Sequence, residues 1–483
     1  MKRLAGLCLL LVVVSSLWNT PSLAQESEDP IRVFGVVDGY WRPDDAEELG
    51  ISWERITFDW SKLQPQGPGT FEPSAMREEW ITKAVSSGRE VVGVIIGTPV
   101  WASANGQTNG VPSGLYEPID SPNNLWAIFL RELMAQRMTT NIRRWIIWDK
   151  PDIRTDDPGQ PATLAGSAQD YYRLLKVANQ TIKSVNSKAS IYVGGLVWWN
   201  DIAAGRELFL QQFLSIVADD PSAADNNDFF EGVTLNIVIP PAPLPGITIT
   251  SDSAGDITSS VRTMLDQAGF EDKAIWVTEL NAVPTADPDG GLPDAPLQIS
   301  LEQQADFMIQ GTAMALGAGA SRIAVYKLFD SNFTTGTTPP YGLLRPDNSR
   351  RLAFDTYTLA IELFNTTLTA TASRSQNGRL VILQQAGRTL YIVWTAHTQA
   401  VNFWVESKFR DEPTVLDSFG NALPTPRIGV GPDGLNVHVI ETPPAVPDAN
   451  GNVIIGGSPR ILILEGEPRH VWAAVGTNAL QLN

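Results

Sequence analysis

The chain has 483 residues, 43% of them hydrophobic, and a formal charge of −18. A chain that long and apolar can fill more than one core, and one so acidic repels nucleic acid and anionic membranes, which leaves a neutral or soluble partner. With a single cysteine, and no histidine between residues 25 and 390, disulfides, cysteine-zinc sites and a histidine-based triad or metal centre in that part are excluded.

The chain starts Met-Lys-Arg, runs through an apolar segment from Leu4 to Val14 and reaches the small-residue site Ser22-Leu-Ala24. Basic, apolar, small is the order of a secretory signal peptide, predicted over 1–24, and the apolar part is too short to span a bilayer. The lone Cys8 falls inside it, so the secreted chain would hold no cysteine. Its charge would move from −18 to −20 by loss of Lys2 and Arg3. Fifteen Trp in such a chain favour a carbohydrate partner, because indole faces stack on pyranose C–H surfaces. No metal or cofactor is expected. Chemistry falls to carboxylates, Lys, Arg and aromatic side chains.

Eight short apolar runs then alternate with helical patterns. The expected strands are Ile31–Val37, Ser52–Phe58, Glu90–Gly97, Trp145–Trp148, Ile191–Gly195, Gly232–Val238, Ala274–Thr278 and Arg322–Tyr326. Helices are expected near Pro43–Leu49, Ser74–Ser87, up to Gln136, Ser167–Asn186, Arg206–Asp219, Ile257–Ala268, Leu301–Leu316 and Leu352–Phe364, with Ser74 as a cap and Gly88 as a stop. This alternation predicts a (β/α)8 barrel over 25–366. The long polar loops 102–123, 151–166, 239–256, 281–300 and 330–347 all follow strands, so they gather on the face where barrel active sites form.

Beyond Thr366 the period changes. Leu380–Leu383, Leu390–Trp394, Val401–Val405, Asn436–Ile440 and Ile461–Leu464 read as short strands separated by turns such as Gln376-Asn-Gly378. They predict a smaller antiparallel β-sandwich over 367–483. His397, His438 and His470 all fall in it. Asp448-Ala-Asn-Gly-Asn452 has no acidic residue at the twelfth position of a calcium loop and reads as a hairpin turn.

Two runs end in charged residues at the barrel rim: Arg144-Trp-Ile-Ile-Trp-Asp-Lys-Pro-Asp152 and Ala274-Ile-Trp-Val-Thr-Glu-Leu-Asn281. The first resembles the Trp-Asn-Glu-Pro motif that ends the fourth strand of clan A glycoside hydrolases, and Trp276-Val-Thr-Glu279 resembles their seventh-strand nucleophile motif. Leu49-Gly-Ile-Ser-Trp-Glu-Arg55, Gly97-Thr-Pro-Val-Trp101 and Tyr341-Gly-Leu-Leu-Arg-Pro-Asp347 are similar to β-xylosidase-like and cellulase-like sequences. The resemblance runs from about Ile31 to the end and implies a TIM-barrel retaining glycosidase with a C-terminal sandwich. It makes Glu279 the nucleophile and Arg55 the cation that orients it. It puts Lys150 at the acid/base position, where the family has Glu, and Asp149 where the family has the Asn that meets the sugar 2-hydroxyl. On the sixth strand, where a His-x-Tyr is frequent in the family, this chain has Asn236-Ile-Val238.

A lysine is a poor proton donor at neutral pH, and a neighbouring carboxylate holds its proton more firmly. The expected function is therefore a secreted glycoside hydrolase-like protein that acts on or binds a poly- or oligosaccharide. The alternatives are a catalytically inactive glycan-binding or scaffold protein and a purely structural surface protein. A displaced acid would have to come from Asp149 or Asp152, or from another rim carboxylate such as Asp38 or Asp330. The expected sugar-contacting residues are Trp101, Trp148, Asp152, Trp198, Asn236 and Tyr326, with Trp41, Trp60 and Trp199 as further rim aromatics.

Overall fold

A computed structural model describes residues 32–72, 74–157, 161–330, 339–376, 378–407, 413–424, 427–430, 434–467 and 470–475. The predicted signal peptide, Ile31 and part of the predicted loop 330–347 lie outside them. Eight parallel strands close into a barrel in chain order: β1 Phe34–Val37, β2 Trp53–Asp59, β3 Glu90–Ile96, β4 Arg144–Asp149, β5 Ser190–Leu196, β6 Gly232–Ile239, β7 Ala274–Ala282 and β8 Arg322–Val325. β8 returns to β1 with Ile323 opposite Phe34.

Successive strand side chains point to opposite faces, so each strand sends every second residue inward. Trp53, Val92, Val94, Ile146, Tyr192, Trp276 and Ala324 meet there and fill the barrel. Tyr192 stacks on Trp276 with ring centroids 3.9 Å apart, and the Arg322 guanidinium lies 4.6 Å from the same indole. Glycine makes room for these rings, since a Cβ on Gly35 would stand 2.4 Å from the Trp53 side chain. Glu90, the first residue of β3, pairs with Arg144 and Arg322, the first residues of β4 and β8. The strand starts are thus tied together by charge, and the strand ends are left for other work.

Helices cover the outside. Ser167 caps helix Ala168–Val185 through a reciprocal box with Asp170, which satisfies two N–H groups that a helix start leaves open. The predicted Ser74 cap does not form. That helix starts at Glu78, because the Ser74 hydroxyl turns back onto Glu72 instead. Among the described residues no helix is long and apolar enough to cross a membrane.

The remaining strands are β9 Thr369–Arg374, β10 Gly378–Gln385, β11 Arg388–Thr395, β12 Val401–Ser407, β13 Thr414–Leu416, β14 Arg427–Val430, β15 Asn436–Thr442, β16 Arg460–Glu465 and β17 Val471–Val475. They form antiparallel sheets in the orders β13-β16-β11-β10-β9 and β14-β15-β12-β17. Tyr391 and Val393 of β11 meet Phe403, Ile440 and Leu462 between the two sheets. Leu390, Ile392 and Trp394 of the same strand face the barrel's core instead. Burial on both faces explains why β11 reads as one unbroken apolar run. Helix Leu301–Gly317, buried on nearly every side, lies between the two units. Its Gln310 amide donates to the carbonyls of Gly456 and Gly457 at 3.2 and 3.0 Å. Asp448 accepts the N–H groups of Asn450 and Asn452 at 2.9 and 2.7 Å, the bond pattern of a plain turn.

Candidate active site

Arg55, Asp149, Lys150, Asn236, Glu279 and Tyr326 converge at the C-terminal mouth of the barrel. Arg55 arrives by simple alternation. It lies two residues beyond the inward-facing Trp53 and so points inward one layer higher. Glu279 does not. By alternation from Trp276 the next inward residue would be Thr278, and Glu279 would face the helices. The ladder between β6 and β7 slips here: Leu235 lies opposite Val277, and Asn236 lies opposite Glu279. The extra residue, Thr278, is absorbed as a bulge, and Glu279 is turned into the mouth. The Thr278 hydroxyl donates to the Asn236 side-chain oxygen at 3.1 Å.

β4 reaches the same result with backbone strain. Ile146 faces inward, so Trp148 should too. Instead Trp148 has φ 70°, a conformation that costs a bulky side chain energy. Its ring turns out against Trp126, and Asp149 takes the inward place. Lys150 follows at φ 54°. The bend needs a small neighbour, because a Cβ on Gly194 of β5 would stand 2.5 Å from the Trp148 carbonyl oxygen. It is held by the Tyr171 hydroxyl, which donates to the Ile147 carbonyl at 2.8 Å and accepts the Gly194 N–H at 2.7 Å. The Thr163 hydroxyl donates to the carbonyl of Asp149 at 2.6 Å.

The cluster is a closed set of ion pairs. Arg55 Nη1 donates to Glu279 Oε1 at 2.6 Å, and Arg55 Nη2 lies 3.1 Å from Asp149 Oδ1. Asn236 Nδ2 donates to that same Asp149 oxygen at 2.9 Å. Lys150 Nζ lies 3.4 Å from Glu279 Oε2, 3.9 Å from Asp149 Oδ2 and 5.9 Å from the Tyr326 ring centre. Glu279 and Arg55 are buried, whereas the Lys150 side chain stays 25% exposed. The Glu279 carboxylate outweighs desolvation and raises the Lys150 pKa. Burial works against the Arg55 charge, but Asp149 and Glu279 together raise its pKa as well. Both cations therefore hold their protons throughout the neutral range.

Other predicted residues take different places. Trp148 is fully buried, and Trp198 and Trp199 nearly so, so these rings line the walls rather than the opening. Trp60 is likewise buried. Trp101 is half-buried, donates its N–H to the Gln64 carbonyl at 2.7 Å and meets Trp60 edge-on. Asp330 is held by Arg351 at 2.7 Å and accepts the Gly342 N–H, a brace for the loop after β8. Asp38, at the end of β1, has its carboxyl pKa raised by burial, with Lys327 and Arg55 opposing and Glu279 adding to the shift. Tyr341 and Asn281 lie in two of the motifs above, yet no role at the site was expected of either. Tyr341 meets Tyr326 edge-on at 5.1 Å, and Asn281 donates to the backbone carbonyls of both tyrosines. The β7 run contained Asn281 in plain view, but nothing local pairs it with residues so far along the chain.

Asp152 is a clamp. It is buried, and its Oδ2 accepts the N–H groups of Val197 and Trp198 at 2.8 and 2.7 Å, tying the loop after β4 to the loop after β5. Burial lifts its carboxyl to about 7, against these hydrogen bonds. The folded protein therefore binds this proton more tightly than the unfolded chain, and its contribution to stability falls as pH rises from about 4 to about 7. Asp152→Asn, which mimics the protonated form, is expected to gain on the parent as pH rises through that window. Melting temperatures of both proteins across it check this. A difference that does not change with pH would contradict it.

No family model and no curated protein matches the chain. Solved structures do match. A family 39 glycoside hydrolase from the gut symbiont Bacteroides cellulosilyticus WH2 is 17% identical, with a TM-score of 0.61 over 90% of this chain and 81% of that one. A glycoside hydrolase family 30 endoxylanase from Clostridium papyrosolvens C71 is 13% identical, with a TM-score of 0.56 over 92% and 98%. The family 30 subfamily 8 xylanase Xyn30A from Clostridium acetobutylicum is 12% identical, with a TM-score of 0.55 over 91% and 97%. The eight-stranded barrel followed by an all-β unit is thus the fold of family 39 and family 30 glycoside hydrolases, shared across nearly the whole of this chain.

Proposed function

We propose that the chain is a secreted carbohydrate-active protein that binds a poly- or oligosaccharide at the C-terminal mouth of its barrel. In this reading Glu279 is a carboxylate nucleophile that lacks a carboxylic-acid partner. The observation that carries it is the pairing of Glu279 with Arg55 at 2.6 Å and with Lys150 at 3.4 Å. Retaining glycosidases attack with one carboxylate and protonate the leaving oxygen with a second carboxyl group. Here Arg55 orients the first, and an ammonium whose pKa is raised by that same carboxylate stands in for the second. Such a group gives up its proton too reluctantly to assist a poor leaving group. Glycosides whose leaving group departs without a proton escape this block.

The expected result is slow turnover of dinitrophenyl glycosides, far slower turnover of alkyl glycosides or oligosaccharides, and at least a hundredfold loss in Glu279→Gln. A fluorosugar with a good leaving group should label Glu279 covalently, read by peptide mass. Both family 30 structures named above are xylanases, which makes xylosides the first probe. The absence of both turnover and label would rule out the nucleophile. The second reading, glycan binding without chemistry, is favoured by Lys150 occupying the outer Glu279 oxygen. Calorimetric binding without any label would select it.

A further inference from the structure

Asp38 shares the electrostatic field of Lys327, Arg55 and Glu279, and the single helical turn Gly39–Trp41 follows it directly. A side chain on Gly39 would stand 2.3 Å from a Glu54 carboxylate oxygen, so glycine lets this turn lie close on the barrel. The turn sets Tyr40 and Trp41 against Trp80, near the start of helix Glu78–Ser86. Ring centroids are 4.7 Å apart for Tyr40 and Trp80, 5.3 Å for Trp41 and Trp80, and 5.3 Å for Tyr40 and Trp41.

Three rings packed on one another ordinarily belong to a core. Here Tyr40 and Trp80 rest on the core and are half-buried, while Trp41 remains 47% exposed. The Arg77 guanidinium lies over the Trp80 ring, 5.6 Å from its centre, and Arg42, next to Trp41 in the chain, pairs with Asp45 at 2.9 Å, so charged groups accompany the rings. Aromatic faces with a polar border suit an amphipathic ligand, such as a pyranose with its C–H face and hydroxyl edge. Nucleic-acid bases also stack on such rings, but a chain of formal charge −18 opposes a polyanion. A neutral sugar chain meets no such opposition. The Asp38 N–H lies 3.5 Å from the carbonyl of Arg55, a residue of the mouth, and Trp41 follows three residues later, so the rings begin beside the mouth.

We propose that Tyr40, Trp41 and Trp80 form a stacking platform for the distal part of a neutral polysaccharide whose other part lies in the barrel mouth. This rests on the carbohydrate reading of the mouth and adds a dependence on chain length. A disaccharide fills the mouth alone, whereas a hexasaccharide of the same sugar also covers the platform.

Calorimetry on the full chain with xylo-, cello-, manno- and laminari-oligosaccharides of both lengths tests it. Trp41→Ala should weaken hexasaccharide binding about tenfold and leave disaccharide binding unchanged, while Trp41→Tyr keeps most of the affinity. Melting curves report that the variants are folded. Unchanged hexasaccharide affinity in Trp41→Ala overturns the platform and leaves the mouth reading standing. Equal weakening for both lengths places Trp41 in the mouth and overturns a separate platform. A parent protein that binds none of these sugars overturns the platform together with the reading it rests on.

Discussion

Lys150→Glu should raise the hydrolysis of unactivated glycosides by about 10²–10⁴-fold, the usual gain from a positioned general acid. Lys150 Nζ lies 3.4 Å from Glu279 Oε2. A glutamate at the same position ends sooner, and its carboxyl withdraws along the stem by up to about 2.5 Å. That leaves the two carboxyl groups roughly 5–6 Å apart, near the separation that retaining glycosidases use. The electrostatics act in the same direction. The new carboxyl would sit beside Glu279 and Asp149, with Arg55 already shared between them, and like charges raise a carboxyl pKa. A raised pKa keeps the group protonated near neutrality, as an acid catalyst requires. The backbone presents no obstacle, since glutamate tolerates the φ of 54° no worse than the native lysine. Turnover of alkyl and dinitrophenyl glycosides by both proteins checks this. The gain should appear with poor leaving groups and shrink with good ones, and a new alkaline limb should appear in the pH profile. A variant that binds sugar like the parent and still cleaves nothing would show that more than the acid is missing.

The physical route by which each group reaches the mouth explains what could be read from the chain alone. Arg55 obeys the strand period, so Trp53 facing inward is enough to place it. Glu279 and Asp149 break the period, one through a bulge at Thr278 and the other through the left-handed Trp148. A bulge depends on how two strands settle against each other, and periodicity within one strand carries no trace of it. For these two residues alternation would have pointed outward, and only the motif resemblance singled them out. Trp148 shows the converse. Its place at a strand end suggested a stacking face, but the same strained φ that frees Asp149 sends the indole against Trp126. Asp152 sits at the start of a rim loop, where the sequence offers it to a sugar. Only the fold brings the Val197 and Trp198 N–H groups to it. The barrel itself was legible because eight strands alternating with helices, and every long loop following a strand, leave few other arrangements. Strands β9, β13, β14 and β17 were not, since each is short, polar or partly exposed and lacks a clear apolar alternation.

Arg55→Met should destabilise the protein by roughly 3–5 kcal/mol, the usual cost of breaking a buried ion pair by removing one partner. The methionine fills the space of the stem, so most of the loss comes from charge. Glu279 Oε1 loses its donor at 2.6 Å and Asp149 Oδ1 loses its cation at 3.1 Å. Lys150 remains, at 3.4 Å from one carboxylate and 3.9 Å from the other, too far from either to replace a bidentate guanidinium. Two carboxylates then share the mouth with one ammonium, and a buried charge left without its partner is relieved by neutralisation. When a carboxyl pKa is higher in the folded state, stability falls as pH rises from the unfolded value, about 4, through the folded one. The deficit should therefore be largest at neutral pH and shrink toward pH 4, where protonation removes the uncompensated charge. Urea denaturation of parent and variant at both ends of that range measures it. Adding Glu279→Gln to the variant should recover much of the loss at neutral pH, because it removes one of the two stranded charges. A deficit of the same size at every pH, untouched by that second substitution, would assign the role of Arg55 to packing. The ion-pair account of the mouth would then fail, and with it the reason for treating Glu279 as a carboxylate held ready for a sugar.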